Sequence, residues 1–109
     1  MSYKISGIVI KGDEYGRKLG FPTVNLEVKN QEIPAEGIYA GEATLEDKKY
    51  RAGIVIGPGG KVEAHLLGYN GNAYGKIVTL ELGRFLRKFI KFETEEELII
   101  QIKKDLTNI

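Results

Sequence analysis

The sequence predicts a mainly β domain, an antiparallel barrel or sandwich, followed by one α-helix at its C-terminal end. Two observations predict it. Short β-rich runs separated by turn residues fill the first three-quarters of the chain, and the hydrophobic period then changes to that of a helix. The chain has 109 residues, which is room for one domain, residues 1–109. Fourteen of them are glycine, a high share that is typical of turns and close backbone approaches.

The predicted strands are short and are bounded by turn residues. A glycine-containing loop begins at residue 12 after the first strand, and residues 20–22 lead into the second. The third and fourth strands are predicted to form a hairpin around residues 46–48. Residues 57–60 and the pair Asn70-Gly71 mark the next two turns. The predicted strands are Tyr3–Lys11, Thr23–Val28, Gly37–Leu45, Tyr50–Ile56, Val62–Leu67 and Lys76–Phe85.

The predicted helix begins after Thr94. Thr94 followed by Glu97 three residues later is a capping-box pattern, in which each side chain satisfies a backbone N–H of the first turn. Leu98, Ile102 and Leu106 then recur every four residues and form one apolar face. We therefore expect one helix of about fifteen residues, packed on the barrel through that face.

Composition excludes several classes of site. The sequence has no cysteine and a single histidine, His65, so disulfides, thiolate zinc sites and cysteine nucleophiles are excluded. Any metal must be a hard cation held by oxygen. A net charge of +1 argues against a dedicated polyanion binder, so no nucleic-acid partner is expected. No apolar run is long enough for a membrane helix and the N-terminus lacks a signal peptide, so we expect a cytoplasmic protein. We also expect a monomer.

The most unusual segment is the glycine-punctuated stretch from Gly12 to Asn25. Thr23 and Asn25 are two residues apart on a predicted strand, so a hydroxyl and an amide oxygen point the same way. Hard neutral oxygens of this kind are suited to Mg²⁺ that also holds phosphates, and the loop N–H groups with Arg17 or Lys18 are suited to the phosphates themselves. The alternative is a glycine-rich surface turn without a ligand.

Two further patterns carry possible chemistry. Glu63 and His65 share one face of the fifth predicted strand, where a carboxylate is a candidate general base; alternatively both side chains simply face solvent. The stretch 84–92 interleaves cations with aromatic residues, which is typical of single-stranded RNA binding. The same pattern also occurs where cations extend over apolar packing at a strand end.

Taken together, these residues resemble the riboflavin kinase (flavokinase) family of bacteria and eukaryotes over nearly the whole chain. Residues 16–25 resemble its G-R-x-L-G-x-P-T-A-N signature, with Val24 in place of alanine. Residues 34–41 are similar to its P-x-x-G-[VI]-Y segment, and residues 62–67 to its E-x-H strand. Tyr74-Gly75 and the segment from Phe92 onward resemble its later landmarks.

The resemblance implies a six-stranded antiparallel Greek-key barrel with a C-terminal helix. It also implies transfer of the ATP γ-phosphoryl group to the ribityl 5′-hydroxyl of riboflavin, which forms FMN and ADP. Glu63 would be the base, Thr23 and Asn25 would bind Mg²⁺, and the site would lie at the barrel mouth under the loop 12–20. The expected nucleotide-binding residues are Gly12, Gly16, Arg17, Lys18, Gly20, Pro22, Thr23 and Asn25, and the expected substrate-binding residues are Tyr74, Arg87 and Phe92.

Some segments depart from the family pattern. Residues 52–60 are shorter than the usual N-x-G-x-x-P-T-F stretch, and Lys88-Phe89 replace Pro-Glu. These departures, where substrate walls are expected, leave open a non-catalytic flavin- or nucleotide-binding member of the family. An RNA-binding barrel is a third alternative. The adenylyltransferase domain fused to many bacterial members is not in the sequence, so FAD synthesis is not expected.

Overall fold

A computed structural model of the chain describes residues 3–12 and 20–109, and within them six strands close into an antiparallel barrel. One α-helix follows the barrel in these residues, and a short 3₁₀ turn, Pro58–Gly60, precedes the fifth strand. The elements are β1 Tyr3–Ile10, β2 Val24–Glu27, β3 Gly37–Leu45, β4 Lys48–Ile56, β5 Val62–Leu66, β6 Ile77–Arg87 and α1 Glu95–Leu106.

The order of strands around the barrel is β1-β2-β5-β4-β3-β6, and β6 pairs with β1 to close it. Strands β3, β4 and β5 form a meander. The strand before the meander, β2, pairs with its last strand, β5, and the strand after it, β6, pairs with its first strand, β3. Each of these two pairings completes a Greek key, so the barrel contains two overlapping Greek keys. The predicted six-stranded Greek-key barrel with a C-terminal helix is therefore confirmed.

The β3–β4 hairpin turns through two residues, Glu46 and Asp47, with φ angles of 51° and 65°. Two consecutive positive φ angles match the right-handed twist of the flanking strands. Leu45 therefore pairs directly with Lys48, and β4 begins at Lys48, two residues before the predicted start. Across the barrel end, Lys76 Nζ donates to Glu46 Oε1 at 2.8 Å, and this hydrogen bond raises the Lys76 pKa.

The barrel interior is filled with aliphatic side chains. Every second residue along each strand points inward, which is the periodicity of a half-buried strand. A filled interior leaves no room for a substrate, so a binding site has to lie on the outer wall or at a rim. The largest side chains that are almost fully buried belong to Ile5, Leu45, Ile54, Ile56, Val62, Val78 and Leu80.

The helix α1 begins where its cap predicts. Thr94 adopts an extended backbone conformation and its hydroxyl accepts a hydrogen bond from the Glu97 N–H at 3.2 Å. The helix has 12 residues and ends at Leu106, so it is slightly shorter than expected. None of its residues is fully buried, because it leans on the barrel and leaves a cleft beneath it. Among the described residues no helix has the length and apolarity needed to cross a membrane.

Candidate active site

A cleft of about 600 Å³ lies between the outer barrel wall and α1. Its floor consists of outward-facing residues of β4 and β5, and its roof is the segment 88–92 together with the apolar face of α1. The site is predicted at the barrel mouth under the loop 12–20, most of which lies outside the described residues, so that placement stays a prediction; this cleft lies on the outer wall beside it. The floor and roof include Gly53, Val55, Glu63, His65, Phe89, Phe92, Leu98, Ile102 and Leu106.

Glu63 occupies the middle of a row of residues that runs across three strands. It lies opposite Asn25 on β2 and opposite Val55 on β4. Directly opposed residues of antiparallel strands project from the same face, with β-carbons about 4.5–5.5 Å apart. Glu63 is half-buried in the cleft, and Lys61 Nζ lies 3.3 Å from its Oε1.

Asn25 is the buried polar residue of the described chain, with 7% of its surface exposed. Its Oδ1 has no hydrogen-bond partner in the described structure. Leaving such an oxygen unpaired costs about 1–3 kcal/mol. Gly12 covers it closely, since a β-carbon at residue 12 would lie 2.3 Å from Asn25 Nδ2. An oxygen that is buried but unpaired beside Thr23, which lines the cleft, is positioned to accept a cation.

Neutral oxygens are the metal donors that this site offers. Among the described residues there is no group of three or more His, Cys, Asp or Glu side chains that could hold a metal ion. The Thr23 hydroxyl and Asn25 Oδ1 are hard donors of the kind that Mg²⁺ accepts when phosphates and water complete its coordination. The donor set therefore suits a magnesium–nucleotide complex better than a metal held by the protein alone.

His65 also lines the cleft, two residues beyond Glu63 on β5. Its Nδ1 lies 2.6 Å from the Pro22 carbonyl oxygen, and its ring makes an edge contact with Phe21 at 6.3 Å between centroids. Glu63 and His65 are both half-buried, so the alternative in which they simply face solvent does not describe them.

Arg87 lines the cleft, and each of its three guanidinium nitrogens donates to a group of the protein. Its Nε donates to both carboxylate oxygens of Asp105, at 3.0 and 3.2 Å, and its Nη2 donates to Oδ2 at 2.9 Å. Its Nη1 donates to the Lys88 carbonyl at 3.1 Å, and the guanidinium lies 5.6 Å from the centre of the Phe92 ring. The two charged side chains are only 18% and 12% exposed. This pair joins the end of β6 to α1.

Sequence reasoning did not single out Asp105 or Gln101, which complete this junction. Gln101 Nε2 donates to Asp105 Oδ1 at 2.9 Å, one helical turn away. The i, i+4 spacing of the two polar residues beside the apolar face was the available signal. Their partner on β6 becomes evident only when the helix is placed on the barrel.

The remaining predicted site residues either do not line the cleft or lie outside the described residues. Tyr74 is 45% exposed and does not line the cleft; its N–H donates to Asn72 Oδ1 in the turn before β6. Gly16, Arg17 and Lys18 lie outside the described residues. Gly20 and Pro22 are exposed on the described end of the loop. The roles assigned to these residues stay predictions.

The segments that depart from the family pattern border the cleft. Gly57, Pro58 and Phe89 are among its lining residues, so these departures alter the walls of the cleft.

The aromatic residues of the stretch 84–92 do not form one exposed platform. Phe89 and Phe92 face the cleft, whereas Phe85 packs edge-on against Tyr39, at 5.3 Å between ring centroids.

The chain is similar in sequence to riboflavin kinases. A family model described as Flavokinase, riboflavin kinase, matches residues 1–109. The bifunctional riboflavin kinase/FMN adenylyltransferase of Haemophilus influenzae is 34% identical over 112 residues, covering 95% of this chain and 36% of that protein. The Bacillus subtilis protein of the same description is 35% identical over 114 residues, covering 94% and 36%. The chain thus spans about a third of the length of these relatives.

Two solved structures share the fold. A Streptococcus pneumoniae structure described as a macrolide-efflux protein superposes with a TM-score of 0.89 at 28% identity, covering 95% of this chain and 37% of that one. Riboflavin kinase from Trypanosoma brucei superposes with a TM-score of 0.75 at 21% identity, covering 97% and 73%. At that identity the second similarity concerns the fold alone.

Proposed function

Because the chain belongs to the riboflavin kinase family, we propose that its barrel transfers the γ-phosphoryl group of ATP to the ribityl 5′-hydroxyl of riboflavin, which yields FMN and ADP. The observation that carries this proposal is the placement of Asn25 directly opposite Glu63. A buried, unpaired amide oxygen thereby stands beside a carboxylate that lines an apolar cleft. Phosphoryl transfer needs mainly such alignment, together with neutralisation of charge.

Glu63 is the proposed general base. Its carboxylate would accept the proton of the 5′-hydroxyl as the oxygen attacks the γ-phosphorus and the bond to the ADP oxygen breaks. In a loose transition state that proton leaves late, so the position of the carboxylate matters more than a strongly shifted pKa.

Thr23 and Asn25 are the proposed magnesium ligands. Their hydroxyl and amide oxygens are hard, neutral donors, and the Asn25 oxygen has no other partner in the described structure. The chemistry that a bound Mg²⁺ supplies is neutralisation of charge on the ATP phosphates. Through the metal, the two residues would hold the ATP phosphates on the β2 side of Glu63.

The cleft under α1 is the proposed flavin site. Its volume of about 600 Å³ lies within the usual range for small-molecule sites. Phe89, Phe92 and Ile102 offer an apolar surface for a planar ring, and Glu63 lies at its edge. Arg87 was expected to contact the substrate; we propose instead that it shapes the cleft by holding α1 through Asp105.

The proposal includes a monomer that works in the cytoplasm. Each described strand pairs with a neighbour on both sides over at least part of its length, so little strand edge is open for pairing with a second copy. A reaction that consumes ATP is suited to the compartment in which ATP is made.

The deciding experiment is chromatographic detection of FMN after the protein is mixed with riboflavin, ATP and Mg²⁺, with GTP and CTP in parallel reactions. We expect FMN with ATP and Mg²⁺, and none with the metal chelated. Flavin binding by folded protein without FMN formation would overturn the proposal in favour of a non-catalytic member of the family. RNA binding with steep salt dependence and no response to riboflavin would favour the third alternative.

A further inference from the structure

His65 connects two parts of the site that the strand ladder does not join. The β2–β5 ladder begins with Val24 opposite Ala64 and continues with Asn25 opposite Glu63. Thr23 therefore lies just outside the ladder, although it is one of the proposed metal ligands. Continued by one residue, the ladder would pair Thr23 with His65. At this position His65 Nδ1 instead lies 2.6 Å from the Pro22 carbonyl oxygen.

The chemistry of this bond assigns its proton. A carbonyl oxygen only accepts hydrogen bonds, so Nδ1 carries the hydrogen and donates it. In the neutral imidazole Nε2 is then an acceptor. The Phe21 edge contact holds the ring from the neighbouring residue, so the orientation of His65 is set by two adjacent residues of one segment.

We propose that His65 is a positioning residue that fixes the Pro22–Thr23 peptide to β5. The carbonyl that it binds belongs to the peptide group leading into Thr23, so the bond sets the direction in which the Thr23 hydroxyl enters the cleft. Since His65 and Glu63 share one strand face, the same strand holds both the proposed base and the support of the metal ligand. This inference rests on the proposed function and extends it to a residue that contacts neither phosphate nor metal.

The tautomer of His65 is the first test and needs no activity. His65 is the chain's single histidine, so a ¹⁵N-labelled sample gives one imidazole pair in a long-range ¹H–¹⁵N spectrum. At a pH where the ring is neutral, we expect a protonated Nδ1 and an unprotonated Nε2. A protonated Nε2, or two nitrogens averaged by rapid exchange, would overturn the proposal.

Three substitutions form the second test. An asparagine places its amide nitrogen where Nδ1 was, a glutamine places it near Nε2, and a leucine provides neither donor. We expect His65→Leu and His65→Gln to raise the Mg²⁺ concentration for half-maximal activity about tenfold, since the Pro22 carbonyl loses the donor that fixes the peptide leading into Thr23. His65→Asn should stay within about threefold of wild type, and KM for riboflavin should change less than the Mg²⁺ requirement.

The outcomes separate this inference from the proposed function. Unchanged Mg²⁺ dependence in His65→Leu, or glutamine rescuing as well as asparagine, would overturn the positioning role while FMN formation stands. If the wild-type protein forms no FMN, the proposed function fails. The role of His65 is then decided by the tautomer and by calorimetric titration of Mg²⁺·ADP into wild type and His65→Leu, where about tenfold weaker binding supports it and equal binding refutes it.

Discussion

Gly12 lies directly over the side-chain amide of Asn25, so close that a β-carbon at residue 12 would stand 2.3 Å from Nδ2. The two residues are distant in sequence and meet because β1 and β2 pair, with Ile10 opposite Asn25. This contact covers the side chain of the proposed magnesium ligand from one side. The loop can pass there only because residue 12 has no side chain.

The first prediction concerns Gly12→Ala. The atom that the new methyl group meets is the end of a side chain, so we expect the Asn25 amide to move while the barrel stays folded. The Mg²⁺ concentration for half-maximal activity should rise about tenfold, as expected for one disturbed ligand. Lys11→Ala, at the exposed preceding residue, is the matched control. Equal Mg²⁺ dependence in both variants would contradict this prediction.

Asn25→Leu should separate stability from function. The substitution removes a buried oxygen that has no partner in the described structure and keeps a similar shape. We therefore expect the free energy of unfolding in urea to be unchanged or raised by up to about 1 kcal/mol. The thermal stabilisation that Mg²⁺·ATP gives the wild-type protein should be lost. A substantially destabilised variant that still responds to Mg²⁺·ATP would show that Asn25 is structural.

Glu63→Gln should retain the binding of riboflavin and Mg²⁺·ATP but lower kcat about a hundredfold or more, because an amide does not accept the hydroxyl proton. Rates of FMN formation at saturating substrate measure this directly. Glu42→Gln, at the exposed residue of β3, is the control and should have wild-type kcat. If Glu63→Gln turns over as fast as that control, Glu63 is not the base.

The Arg87–Asp105 pair should matter for both stability and riboflavin binding. Arg87→Met leaves the Asp105 carboxylate without its main partner, so we expect a loss of about 2–4 kcal/mol in the free energy of unfolding. KM for riboflavin should rise as α1 shifts, with a smaller change in KM for ATP. Arg87→Met combined with Asp105→Leu should recover much of the stability, because neither charge is then unpaired. If the double variant is less stable than both single variants, the pair is not the junction described.

Much of the fold follows from local patterns in the sequence. The two-residue turn at Glu46-Asp47 and the cap at Thr94 are each defined by neighbouring residues, so their elements could be predicted within a few residues. Inward and outward faces follow from alternation along each strand. The prediction that Glu63 and His65 share a face is confirmed for this reason.

The site depends instead on long-range packing. The burial of Asn25 under Gly12 requires the β1–β2 pairing, and no local pattern indicates it. The family resemblance implies that Arg87 contacts the substrate, and that role stays a prediction. Its partner Asp105 lies on α1, and the junction forms only when the helix is placed against the end of β6. The position of the cleft outside the barrel likewise follows from how completely the core fills the interior.

The pairing of β1 with β6 has a consequence for how the chain folds. Ile5 meets Leu80, so the first strand waits for its partner until nearly the whole barrel has been synthesised. Contacts this distant in sequence slow folding, and before β6 arrives both β1 and β3 expose unpaired edges that other chains can bind. The β3–β4–β5 meander contains the shortest-range pairings and is the natural nucleus. During synthesis on the ribosome, these two edges stay open from completion of that meander until β6 arrives, and in that interval we expect the chain to be most prone to aggregation.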